Sequence, residues 1–124
     1  MIKLSEYMSK PVITAKPTDS VRDAAKKMDS YNIGSLVVVK DRKPIGIITE
    51  RDIVRKVIAK GKLADQPVSK FMTTKVQTVT EMASLIEIAS IMKRHTMRRL
   101  VVVNRRGEIS GIVTSKDLID LLTT

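Results

Sequence analysis

Gly46-Ile47-Ile48-Thr49-Glu50-Arg51-Asp52-Ile53 returns near the other end of the chain as Gly111-Ile112-Val113-Thr114-Ser115-Lys116-Asp117-Leu118. The shared pattern is Gly, two β-branched residues, Thr, two variable residues, Asp, then an aliphatic. Each copy reads as a strand that ends where a helix starts. The β-branched pair suits a buried strand. Thr49 and Thr114 suit the N-cap position, and an acid three residues later completes a capping-box pattern. A helix start also offers free N–H groups to an anion such as phosphate. A nearby Asp can accept hydrogen bonds from a ribose diol. Two copies in matched positions favour the ligand reading over capping alone, because Glu or Gln would serve a box as well as Asp.

The repetition extends well beyond these eight residues. Met8 pairs with Met72, Val12 with Val76, Thr14 with Thr78, Val21 with Leu85, Ala25 with Ala89 and Met28 with Met92, all at an offset of 64 residues. Leu36-Val37-Val38-Val39 matches Leu100-Val101-Val102-Val103 at the same offset; after Gly107 the offset is 65. Two tandem units, 1–62 and 63–124, therefore fill the chain. Neither alone has much core, so each is expected to need the other.

A coarse reading of one unit serves for both. Ile2 to Met8 is a short lead-in, broken by Ser9-Lys10-Pro11, and Val12 to Thr14 reads as a strand. Pro17-Thr18-Asp19-Ser20 opens a helix whose stripe is Val21, Ala24, Ala25 and Met28, ended by Asn32 and Gly34. Leu36 to Val39 and Ile45 to Ile48 form a hairpin across Asp41-Arg42-Lys43-Pro44. The helix after Thr49 buries Ile53, Val54, Val57 and Ile58, and Gly61 ends it. After the linker Lys62 to Gln66, the lead-in from Pro67 to Met72 and the strand Val76 to Val79 restart the pattern. Leu85, Ile88, Ala89 and Met92 form the second helix stripe. The hairpin turn is Asn104-Arg105-Arg106-Gly107, and Leu118, Ile119, Leu121 and Leu122 lie on the last helix. The predicted class is α/β, two β-α-β-β-α repeats.

Composition narrows the chemistry. The chain has 124 residues and no cysteine, which removes disulfides, thiol nucleophiles and thiolate metal sites. The single histidine, His95, has no second candidate ligand near it and reads as a helix C-terminal residue, so no metal site is expected. No apolar run approaches a membrane span and no signal-peptide pattern opens the sequence, so a soluble, cytoplasmic protein with no membrane partner is expected. The formal net charge is +10, with 14 Lys/Arg against 7 Asp/Glu in residues 1–62 and 9 against 6 in residues 63–124. Such an excess is either a solvated surface or an attraction to anions. Two Tyr, one Phe and no Trp give little support for stacking on single-stranded bases.

Met8-Ser9-Lys10-Pro11-Val12, Ile33-Gly34-Ser35-Leu36-Val37-Val38-Val39 and Gly46 through Ile53 carry a family resemblance. So do Met72-Thr73-Thr74, Met97-Arg98-Arg99-Leu100-Val101-Val102-Val103 and Gly111 through Leu118 in the second unit. In this order and spacing, twice over, the chain resembles a tandem pair of CBS (cystathionine β-synthase) domains over essentially its whole length. The resemblance implies two units packed through their sheets about a pseudo-two-fold axis, with two clefts at the junction. It implies an adenine nucleotide, or a relative such as S-adenosylmethionine, as regulatory ligand, with no obligatory cofactor. By the same resemblance Asp52 and Asp117 hold the ribose, and Thr49 and Thr114 lie near ribose or phosphate. Arg51 and Lys116 reach the ligand, and Val12 and Val76 help enclose the base. Arg98 and Arg99 face phosphate, and Gly34 and Ser35 hold the equivalent positions in the first unit. That departure makes the two clefts unequal.

No paired carboxylates are arranged for acid–base work, and no nucleophile has an evident base, so an enzyme is not expected. The reading is a stand-alone sensor that signals to a separate, unidentified protein. Its rivals are a nucleic-acid-binding protein, motivated by the charge, and an interaction scaffold with empty clefts. A homodimer is expected through Ile86 or Ile91, which replace Arg22 and Lys27 of the first helix, with a wider core as the alternative.

Overall fold

Short apolar runs in the strands and apolar residues three or four apart in the helices produce the predicted order twice. The structure, a computed structural model, describes Leu4, Met8 and residues 12–123; the lead-in and break read at Ile2 to Pro11 otherwise lie outside the described residues. The first repeat contains β1 (Thr14–Ala15), α1 (Val21–Tyr31), β2 (Ser35–Lys40) and β3 (Lys43–Thr49). Helix α2 (Glu50–Asp52) follows and runs on as a π-helical segment, Ile53–Ile58. A 3-10 turn, Val68–Lys70, leads to β4 (Thr78–Thr80), α3 (Leu85–Arg94), β5 (Arg99–Val103), β6 (Ile109–Thr114) and α4 (Ser115–Leu122). Each sheet has three strands, ordered β1-β2-β3 and β4-β5-β6. The first pair in each is parallel and the second antiparallel.

The compact units cut across the sequence halves. One is Ile13–Val76; the other combines Met1–Val12 with Gln77–Thr124. Of the described lead-in residues, Leu4 and Met8 belong to the core of Val79, Ile88, Met92, Leu100, Val102 and Val113. Residues 63–76, the start of the second sequence repeat, belong to the first hairpin's unit. Val68 is fully buried there beside Val21, Leu36, Val38, Ile48 and Val57. Hydrogen bonds explain why this linker stays put. Val21 and Arg22, whose N–H groups have no partner within their own helix, donate to the carbonyls of Gln66 (2.9 Å) and Ala64 (2.8 Å). Ser20 Oγ accepts from Asp23 N–H and completes the cap of α1.

Two glycines have a packing reason that the repeat alone did not disclose. A Cβ on Gly46 would lie 2.8 Å from Met72 Cγ, and one on Gly111 would lie 2.7 Å from Met8 Cγ, with the sulfur closer still in each case. Each glycine faces the methionine of the other repeat's lead-in. Beside each glycine the hairpin carries one extra residue, with the register shifting between Val38 and Val39 and between Val102 and Val103. The Asp41–Arg42 turn places both residues at positive φ (53° and 67°), as a two-residue hairpin loop requires, so Lys43 and Pro44 are already strand. Gly107, at φ 77°, serves the second turn, where Asn104 Oδ1 accepts from the N–H groups of Arg106 and Glu108.

Several predicted faces need correction. Only Val57 of the π-helical segment is buried; Ile53 is half-buried, while Val54 and Ile58 are 58% and 62% exposed. The wider turn, with Ala59 N–H bonded to the Val54 carbonyl and Lys62 N–H to that of Val57, breaks the α-helical spacing on which the stripe was read. In α3, Ile88 and Met92 are buried but Ala89 is exposed. Ile91 packs half-buried against the core instead of standing outside it, whereas Ile86 is 83% exposed. His95 caps the C-terminus of α3 as read.

The glycine contacts predict a coupling. Gly111→Ala should cost about 1–3 kcal/mol by overpacking, but clearly less in a Met8→Ala background, where the obstructing side chain is gone. Denaturant melts of the parent, both single variants and the double variant measure it. Additive losses would show that Met8 does not meet position 111.

Candidate functional site

The strand-to-helix turns at Thr49 and Thr114 are nearly superimposable in their internal geometry. Thr49 is extended (φ −114°, ψ 161°), and so is Thr114 (φ −114°, ψ 162°). Thr49 Oγ1 accepts from Asp52 N–H at 3.0 Å, and Asp52 Oδ2 accepts from Thr49 N–H at 3.0 Å. The corresponding distances for Thr114 and Asp117 are 3.1 and 2.8 Å. Both are complete capping boxes. Asp therefore does the capping that the sequence reading assigned less weight. Each cap uses one carboxylate oxygen, which leaves the second for other partners.

A further bond ties each turn to the start of its neighbouring strand. Glu50 N–H donates to the Gly34 carbonyl (2.9 Å), and Ser115 N–H donates to the Arg98 carbonyl (2.8 Å). The ladder adds register: Ser35 stands opposite Thr49, and Arg99 opposite Thr114. In the unit of Ile13–Val76 this brings Gly34, Ser35, Thr49, Arg51 and Asp52 to one corner. In the other unit it brings Arg98, Arg99, Thr114, Lys116 and Asp117 together. Val12 and Val76 are half-buried and precede β1 and β4, outside the registers that join the others. The same bonds correct the expectation of a free N–H cradle. Of the first-turn donors, those of Glu50 and Asp52 are already engaged, as are those of Ser115 and Asp117.

The two corners differ in what surrounds the aspartate. Lys56 Nζ lies 3.1 Å from Asp52 Oδ1 and also donates to the Phe71 carbonyl at 3.0 Å. Asp52 is well shielded, its side chain 14% exposed, so the pair resists solvent screening better than a surface pair. The residue equivalent to Lys56 is Leu121. Lys116 pairs instead with Asp120 at 3.2 Å, where both side chains are exposed. Among the described residues no ion pair reaches Asp117. At the strand edge, the first corner has Gly34 with Glu50 beside it: a Cβ on Gly34 would be 3.5 Å from Glu50 Oε2. The second corner has Arg98, exposed, and Arg99, half-buried, with Ser115 in the place of Glu50.

The sequence reading missed Lys56 and Glu50. The signal for Lys56 was its i,i+4 spacing from Asp52. Glu50 had no comparable signal, because only the fold lays it against Gly34. Among the described residues no group of three or more His, Cys, Asp or Glu side chains comes together to hold a metal ion. Nor is any described helix long and apolar enough to cross a membrane.

An uncharacterized protein of Methanopyrus kandleri is 38% identical over 122 residues, 97% of this chain; the chain spans 62% of that relative's length. A CBS domain protein from Pyrobaculum aerophilum complexed with AMP superposes with a TM-score of 0.83 at 26% identity, covering 99% of this chain and 100% of that one. The CBS domain pair of protein MJ0100, in complex with 5′-methylthioadenosine and S-adenosyl-L-methionine, gives 0.84 at 31% identity, covering 99% and 97%. The CBS domain family model matches twice, over residues 4–59 and 68–124, and the chain belongs to that family.

Proposed function

We propose that this chain is a regulatory sensor that binds an adenine nucleotide or S-adenosyl compound and signals to a separate protein. The observation that carries the reading is the pair of Thr–Asp boxes, each leaving one aspartate oxygen outside the cap. A ribose diol presents two adjacent hydroxyl donors, and a carboxylate oxygen held rigidly by its partner oxygen is pre-organised to accept them. Related CBS proteins are known in complex with AMP and with S-adenosyl-L-methionine and 5′-methylthioadenosine, which supports the same ligand class here.

In this reading Asp52 and Asp117 take the ribose, and Thr49 and Thr114 hold them in place. Arg98 and Arg99 take phosphate, with Lys116 and Arg51 at the rims and Val12 and Val76 toward the base. Asp117 is the stronger ribose acceptor, because Lys56 already occupies the second oxygen of Asp52. Signalling to a separate protein needs a second surface, and the exposed Ile86, Ile119 and Leu122 offer apolar area for a homodimer.

Three outcomes test this function. AMP, ATP or S-adenosylmethionine at about a hundredfold over its dissociation constant should add about 2.7 kcal/mol of stability, a rise of several degrees in melting temperature. No shift with any of them at millimolar concentration would replace the sensor by a scaffold. For AMP, Asp117→Asn should weaken binding more than Asp52→Asn, both keeping a cap acceptor; Thr114→Ala should cost about 1 kcal/mol of stability through the lost cap. Calorimetric titration decides the first point and thermal melts the second; equal effects of the two Asn variants would remove the role given to Lys56. Ile86→Lys should leave a folded monomer by light scattering, while Ile91→Lys should lower the melting temperature because Ile91 packs on the core.

A further inference from the structure

The two motifs share one backbone design and differ in the charge laid upon it. In the first, Glu50 and Asp52 are acidic and Arg51 basic, and the Lys56 ammonium is committed to Asp52 and the Phe71 carbonyl. Counting all four side chains, this corner is formally neutral. In the second, Arg98, Arg99 and Lys116 stand against Asp117 and the Asp120 carboxylate that Lys116 pairs with, a formal balance of +1. The difference is sharpest at one place. The carbonyls of Gly34 and Arg98 accept the same bond from the first residue of the following helix, so the two positions are structurally equivalent. At Gly34 there is no side chain, and the Glu50 carboxylate lies against the bare backbone. At Arg98 the backbone carries a guanidinium, and the residue in the place of Glu50 is the uncharged Ser115.

We propose that Glu50 sets the specificity of the first motif, and that the two motifs take ligands of different charge. The Thr49–Asp52 motif takes an adenosyl ligand that is neutral or cationic at its 5′ end, a thioether or a sulfonium. The Thr114–Asp117 motif takes a 5′-phosphorylated one. The inference rests on the adenine-ligand reading above and adds the sign of charge that each motif accepts. A phosphate group brings about −1.5 to −2 charges. Against the first motif it meets a carboxylate at the strand edge, with the nearest ammonium already paired. Against the second it meets the exposed Arg98, whose planar donors suit phosphate oxygens. A sulfonium reverses the preference, because a positive 5′ end is drawn to Glu50 and repelled by Arg98. One chain can then respond to two metabolites at once, with the motifs reading the 5′ substituent and sharing the recognition of the nucleoside.

The test follows the backbone amides of both motifs by NMR in the ¹⁵N-labelled full chain, titrated with adenosine, AMP or S-adenosylmethionine. AMP should saturate the Ser115–Asp117 amides at lower concentration than those of Glu50–Asp52, and S-adenosylmethionine should show the opposite order. Removing one unit charge about 4 Å from a ligand in a water-exposed setting is worth about fivefold in affinity. Glu50→Gln should therefore tighten AMP at the first motif by about that factor and leave adenosine unchanged. Gly34→Arg, whose added Cβ has ordinary contact distance to Glu50, should tighten AMP there further. Binding by all three probes with no charge preference, or an equal change for AMP and adenosine in Glu50→Gln, would overturn this inference and leave the sensor function standing. Silence of both motifs toward all three probes would overturn both.

Discussion

The reciprocal bond between a threonine and an aspartate three residues later is the constraint on which both repeats depend. It turns the last strand of each sheet, β3 or β6, into a helix within one residue and satisfies two donors that would otherwise be stranded at the turn. The turn is then locked to the neighbouring strand by the N–H of the next residue, bonded to the Gly34 or Arg98 carbonyl. Every candidate ligand contact in the first turn inherits its position from these bonds. Capping and the proposed ligand-binding role of the aspartate are therefore not alternatives. Using one oxygen for the cap orients the other.

A second constraint acts through volume. Gly46 and Gly111 are buried because the methionine of the other repeat's lead-in lies where a Cβ would go. This exchange explains why the compact units are not the halves of the sequence. Neither hairpin completes its core with its own lead-in; Leu4 and Met8 fill one, Val68 and Met72 the other. Each repeat is small, and lending its lead-in to the other makes the folding of the two interdependent. The linker reinforces the arrangement by supplying carbonyls to the start of α1.

Duplication with divergence is visible in the charges. The capping bonds of the two motifs match, 3.0 and 3.0 Å against 3.1 and 2.8 Å, because the cap demands one geometry. The side chains around it are free to differ, and they do: Lys56 against Leu121, Glu50 against Ser115, Gly34 against Arg98. In the proposed reading, a sensor built this way would keep one nucleoside-recognising frame and vary what stands at the 5′ end. The +10 net charge is consistent with that picture without requiring a nucleic-acid partner.

The amino-acid sequence by itself determined the repeat, the order β-α-β-β-α, the helix start at Ser20, the caps at Thr49 and Thr114, and the ends of α1 and of the α2 segment at Asn32 and Gly61. Apart from the repeat, these are local matters, settled by residues within four positions of one another, and a one-dimensional pattern carries them. It also pointed to the unequal corners through Arg98 and Arg99 against Gly34 and Ser35. Only the tertiary structure decided which lead-in serves which hairpin, because Met8 and Gly111 are far apart in the chain and meet through packing. Only it showed that Ile91 is core while Ile86, Val54 and Ile58 are surface, since a π-helical turn and neighbouring elements reset the faces that a regular period assigns. And only it laid Glu50 against Gly34 and Lys56 on Asp52, because burial and juxtaposition, not residue type, decide which charges act on a site.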